Sequence, residues 1–111
     1  MLVTAFQQFA SAASSDSKIG FVFELVRHGA RAANSDDEPG IFQVPTGMLT
    51  SQGMRQRNLL GAYSKQKYID RYGLLDATYN PNQFYIQSTG IERTLKSSYS
   101  ELLGIFPPDF S

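Results

Sequence analysis

Two apolar runs set the pattern of this chain. The first, Ile19-Gly20-Phe21-Val22-Phe23-Glu24-Leu25-Val26, is nearly continuous. That is the pattern of a strand covered on both faces, and it predicts a strand over residues 20–27. Glu24 interrupts it, as an edge-facing residue or as a buried partner for an arginine of the candidate site that follows the run. The second run, Gln83-Phe84-Tyr85-Ile86-Gln87, is aromatic and β-branched and predicts a second strand.

Helical patterns follow each run. Thr50 is a good N-cap for a helix reaching about Tyr68. Met54, Gly61 and Tyr68, flanked by Leu60 and Tyr63, form its apolar stripe, and the basic residues at 55, 57, 65 and 67 fall mostly off it. Gly53 and Gly61 lower helix propensity but permit close packing on a sheet. Thr89 and Glu92 have the spacing of a capping box, so a second helix is expected to start at Thr89. Ile91, Leu95, Tyr99, Leu102 and Leu103 give it an apolar face, and Gly104 with Pro107-Pro108 stops it. Residues 32–48 and 69–82 read as connections rich in turn residues. The order strand, helix, strand, helix predicts an α/β fold of βαβα form. Its two strands would be parallel, with their carboxyl ends on one side.

Composition narrows the class. With 111 residues there is room for one small domain. Hydrophobic residues make up 41%, and there are 8 Phe and 6 Tyr, so the chain is globular rather than disordered. Lys+Arg and Asp+Glu are both 10. That zero balance argues against a nucleic-acid or membrane-surface protein. There is no cysteine and a single histidine, which rules out a disulfide framework and a multi-histidine metal site. No stretch approaches the ~20 apolar residues of a membrane-spanning helix. Residues 1–18 read as an N-terminal tail or a weak signal-like segment. Ala10-Ser11-Ala12 resembles a cleavage site, but no basic residue precedes Lys18. The acidic run Asp36-Asp37-Glu38 is a solvated loop that matches no metal-binding motif.

The chemistry gathers where the first strand ends, at Arg27-His28-Gly29-Ala30-Arg31. Guanidinium groups grip phosphate oxygens in a planar fork and keep their charge. Neutral imidazole can carry a phosphoryl group. Glycine lets backbone approach an anion. The second strand runs into Ser88-Thr89-Gly90-Ile91-Glu92-Arg93-Thr94. Its end would bring Ser88, Thr89, a helix N-terminus and Arg93 to the same side of the sheet. Taken one by one, these are an ordinary histidine and ordinary surface arginines. Together they make a candidate phosphate site.

Arg27-His28-Gly29-Ala30-Arg31 resembles the Arg-His-Gly-x-Arg signature of the histidine acid phosphatases, a branch of the histidine phosphatase superfamily. Leu49-Thr50-Ser51-Gln52-Gly53-Met54-Arg55-Gln56 resembles that family's Leu-Thr-x-x-Gly-x-x-Gln segment, which is evidence of fold rather than of site. Ser88 to Thr94 resembles its Ser-Thr-Asp-x-x-Arg-Thr segment, and the resemblance spans roughly residues 19–108. It departs at Ala33, where the family usually has proline, and at Gly90, where it has Asp or Asn.

The resemblance implies the N-terminal, incomplete part of a phosphoglycerate-mutase-like α/β domain over residues 19–111. It implies phosphomonoester hydrolysis at acidic pH through phosphorylated His28, with Arg27, Arg31 and Arg93 binding phosphate. It implies no cofactor and no metal, and a secreted or lysosomal setting. The family's proton donor comes from a downstream His-Asp pair that residues 1–111 do not contain. Glu92, Glu24 and the Asp36-Asp37-Glu38 loop are the substitutes within the chain, and a capping box would occupy Glu92. The expectation is therefore a fragment inactive on its own. Its rivals are a phosphoglycerate-mutase-like phosphotransferase, a non-catalytic phosphate-binding remnant, and a small α/β domain in which the motif is coincidence.

Overall fold

The computed structural model describes residues 18–35 and 40–109. The signal-like segment up to Ser17 and the Asp36-Asp37-Glu38 run lie outside these residues. Two α-helices dominate the fold. Helix α1 runs Ser51–Ser64 and continues as a π-helical stretch, Lys65–Arg71; helix α2 runs Glu92–Ile105.

Helix α1 starts where the local chemistry directs. Thr50 is the N-cap, and its hydroxyl accepts from Gly53 N–H at 3.1 Å. Helix α2 does not start at Thr89. Its N-cap is Ile91, which offers no side-chain cap. The reason lies in a competing set of bonds. Thr94 Oγ1 donates toward the carbonyls of Thr89 (2.9 Å) and Ile91 (2.7 Å) and contacts Thr89 Oγ1 at 2.8 Å, so the Thr89 hydroxyl is engaged within this turn. Helix α2 ends one residue past Gly104, just before the two prolines.

The helices pack through small and charged residues, which corrects the apolar stripes expected for both. The buried residues of α1 are Gly53, Arg57, Gly61 and Ser64; those of α2 are Ser97, Glu101, Gly104 and Ile105. Met54, Tyr63, Ile91, Tyr99 and Leu103 face outward instead. Backbone proximity explains the preference. A Cβ built on Gly61 would fall 2.1 Å from Glu101 O, and one on Gly104 would fall 2.2 Å from Asn58 O. Only glycine permits that approach. Beside this crossing Arg57 Nη2 is ion-paired with Glu101 Oε2, and both residues are buried. Arg57, expected off the packed face, is therefore central to it. Asn58 Nδ2 adds a bond to Ser100 O at 3.2 Å.

Neither expected strand is formed among the described residues. Segments 20–27 and 83–87 carry no ladder, and the one β-bridge joins Arg31 and Leu49 in antiparallel sense. A strand exists only with a neighbour to pair with, and here these segments have none. Phe21, Phe23 and Leu25 are 81%, 77% and 89% exposed, and Tyr85 is 86% exposed. Phe84 anchors the second segment through an aromatic cluster with Tyr79 and with Phe106 just past α2, and Gln83 adds hydrogen bonds to Asn80 O and from Asp76 N–H. Glu24 is exposed and so is not a buried partner for an arginine of the site; its charge acts on Arg57 and Tyr68. Burial lowers the Arg57 pKa, and Glu24 partly offsets this, so the guanidinium keeps its charge. Burial likewise raises the Tyr68 hydroxyl.

Candidate functional site

The loop after the first segment is held by backbone bonds at Ala30, Ala32 and Ala33. Ala32 N–H donates to Met48 O (2.8 Å), Gly47 N–H to Ala33 O (2.9 Å), and Thr50 N–H to Ala30 O (3.0 Å). The Thr50 hydroxyl adds a second bond to Ala30 O at 2.8 Å. A turn at Pro45–Met48 closes this zipper with Met48 N–H to Pro45 O at 3.1 Å, and it needs φ of +72° at Gly47.

Two glycines let the loop sit on the start of α1. A Cβ on Gly29 would lie 2.3 Å from Gly53 O, and one on Gly53 would lie 2.2 Å from Ala30 O. Thr50, Gly53 and Gln56, three residues apart, all face this loop: Gln56 Oε1 accepts from Ala30 N–H at 3.0 Å. The segment read as fold evidence alone is thus what seats the loop. Its regular spacing carried the signal.

Ser97 was not anticipated. Its buried hydroxyl accepts from Gly29 N–H at 3.0 Å and donates to Arg93 O at 2.7 Å. One side chain therefore ties the residue after His28 to the helix that carries Arg93. A serine in the middle of a helix gives no sequence signal for such a bridge.

Arg27, His28, Gly29, Ala30 and Arg31 line one open depression. His28 is half-buried, and its Nδ1 lies 2.7 Å from Gly29 O. A carbonyl only accepts, so Nδ1 must carry the proton. In the neutral ring Nε2 then keeps its lone pair. Arg31 Nη1 donates to Ala32 O (3.0 Å) and to Asn34 Oδ1 (2.9 Å), which fixes the guanidinium.

Arg93 approaches the same corner from α2. A Cβ on Gly47 would meet Asn34 Oδ1 at 3.1 Å and Arg93 Nη1 at 3.7 Å, so Arg31 and Arg93 flank one turn. Arg93 Nε is buried and has no hydrogen-bond partner among the described residues. Ser88 and Thr89 do not stand at the N-terminus of α2, because that helix begins at Glu92. Ser88 Oγ instead donates to Thr89 O at 2.9 Å.

The two substitute acids among the described residues, Glu92 and Glu24, stand elsewhere. Glu92 caps nothing and is ion-paired with Lys96 on the surface of α2. Glu24 faces Arg57 and Tyr68. Among the described residues no three His, Cys, Asp or Glu side chains gather as a metal site, and no helix is long and apolar enough to cross a membrane.

A sequence profile of the histidine phosphatase superfamily (branch 2) matches residues 39–111. Putative acid phosphatase 11 of Caenorhabditis elegans is 33% identical over 122 aligned positions, covering 97% of this chain and 29% of that protein. Lysosomal acid phosphatase of Bos taurus is 38% identical over 94 positions, covering 80% of this chain and 22% of that protein. The human lysosomal acid phosphatase is 35% identical over the same length. The chain spans about a quarter of the length of these relatives. The chain belongs to the histidine phosphatase superfamily, branch 2.

Proposed function

We propose that the chain contributes the phosphate-binding and nucleophilic half of an acid phosphatase site acting on phosphomonoesters. The observation that carries this reading is the bond from His28 Nδ1 to Gly29 O, which leaves Nε2 basic in a residue that lines a depression with Arg27 and Arg31. The lone pair of His28 Nε2 attacks phosphorus, and the bond to the ester oxygen breaks. That oxygen takes a proton and departs as the alcohol, and water then cleaves the N–P bond to release phosphate. Arg27, Arg31 and Arg93 hold the phosphoryl oxygens and spread the developing charge. No metal or cofactor is needed for this step. The acid phosphatase names of the relatives support the assignment over phosphotransfer between sugars or glycerates.

No carboxylate among the described residues is seated as the proton donor, so the complete reaction calls for an acid from outside residues 18–35 and 40–109. In the complete α/β domain, segments 20–27 and 83–87 are read as parallel strands of a βαβα unit. Their exposed apolar side chains support this. The same lack of a seated acid favours one second reading, a binding remnant that holds phosphate without turnover.

Inorganic phosphate binding to the 111-residue chain tests the convergence of the two motifs. Each charge-assisted bond lost is worth about 1.5–3 kcal/mol. Arg31→Ala and Arg93→Ala should therefore each weaken phosphate by roughly tenfold or more. Unchanged affinity in Arg93→Ala would remove the second motif from the site.

A further inference from the structure

We propose that Gln56 is a positioning residue for His28, acting through the peptide group between Gly29 and Ala30. The proposal rests on reading His28 as the nucleophile. That peptide has two polar ends, and each has a partner. Its carbonyl, Gly29 O, meets His28 Nδ1 at 2.7 Å; its N–H, on Ala30, donates to Gln56 Oε1 at 3.0 Å. The peptide group is planar and its N–H and C=O point in opposite directions. An acceptor that fixes the N–H therefore aims the carbonyl. The carbonyl in turn dictates which imidazole nitrogen holds the proton.

The neighbouring peptides have anchors of their own. Gly29 N–H, in the preceding peptide, is held by Ser97, and Ala30 O, in the following one, by Thr50. Gln56 holds the one that touches the ring. Gly29 is the joint between the first two, and a residue without Cβ allows wide rotation there. The outer anchors thus leave the middle peptide free to turn once Gln56 is gone. The imidazole would then lose its fixed acceptor and its single tautomer.

The sequence holds one histidine, so its ring nitrogens can be read without ambiguity. Long-range proton–nitrogen NMR spectra of the 111-residue chain, taken above the titration of His28, report the tautomer directly. The unsubstituted chain should show a protonated Nδ1 and an unprotonated Nε2. Gln56 is exposed and helical. Gln56→Ala should therefore keep the fold, since alanine is the best helix former. Gln56→Met, a near-isostere without the carbonyl acceptor, is the second probe. Both should lose the single-tautomer pattern, while Gln56→Glu, which still accepts from Ala30 N–H, should restore it. A merely structural role would not separate Met from Glu in this way.

Unchanged tautomer in Gln56→Ala and Gln56→Met overturns the proposal, as does its loss in all three variants. Phosphoryl transfer from phosphoramidate to His28 is a separate readout. A Gln56-dependent tautomer without transfer overturns the catalytic reading and leaves the positioning role intact. Transfer with a Gln56-independent tautomer does the reverse.

Discussion

The helix crossing and the two extended segments are built from opposite materials. Where α1 meets α2, glycines, serines and a charged pair are buried, and the backbones nearly touch. Along 20–27 and around Tyr85, aromatic and aliphatic side chains stand in the open. Hydrophobicity alone would reverse the two regions. What decides burial is whether a partner surface exists. The crossing brings its own, because both helices lie within the chain. A strand run depends on neighbours to supply its ladder, and apolar area yields its roughly 25 cal/mol per Å² only when something covers it.

The sharpest way to break this contrast is at the charged pair. Glu101→Ala leaves Arg57 buried without its partner, and such a loss costs about 3–5 kcal/mol. Chemical denaturation of the variant should show a collapsed midpoint. Replacing both partners at once, Arg57→Met with Glu101→Leu, should recover most of it, because apolar pairs of similar volume substitute well for buried ion pairs.

The glycines give a test of sign. In an exposed helix Gly→Ala gains about 1 kcal/mol. At Gly61 the new methyl would meet backbone at 2.1 Å, so Gly61→Ala should instead destabilise by about 1–3 kcal/mol. A gain in thermal midpoint would mean that the helices do not cross here.

Ser97→Ala comes next. It strands Gly29 N–H, which is buried, at a cost of about 1–3 kcal/mol, against a propensity gain of about 0.5 kcal/mol. A net loss is expected, together with faster amide exchange at Gly29. The smallest effect belongs to the extended segment. Phe23→Ser changes a side chain that is 77% exposed, so the stability of the 111-residue chain should move by less than about 0.5 kcal/mol. A large loss would show that residues 20–27 already have a partner.

Local chemistry was legible in the sequence and long-range choices were not. Thr50 as a cap was readable because its partner is three residues away. Thr89 and Glu92 had equally good spacing, yet the Thr94 hydroxyl took the bonds of that turn. The periodic apolar residues of both helices marked real faces, but not the faces that meet. Close approach selected Gly61, whose small size was legible but whose partner was expected to be a sheet, and Gly104, which read only as a stop signal. At the candidate site His28, Arg27 and Arg31 were readable because they are contiguous. Arg93 was readable as a candidate from the element order and the family resemblance, but its place beside Gly47 and Asn34 was not, and the bridge through Ser97 had no signal at all.

The central claim is that His28, with its proton on Nδ1, attacks phosphorus through Nε2. Incubating the 111-residue chain with phosphoramidate tests it most directly. The reagent transfers a phosphoryl group and releases ammonia, so the step needs no acid from the protein. The account predicts one acid-labile phosphoryl group per chain, located on His28, absent in His28→Ala and slowed in Arg31→Ala. An unmodified chain, or equal modification in His28→Ala, would contradict it.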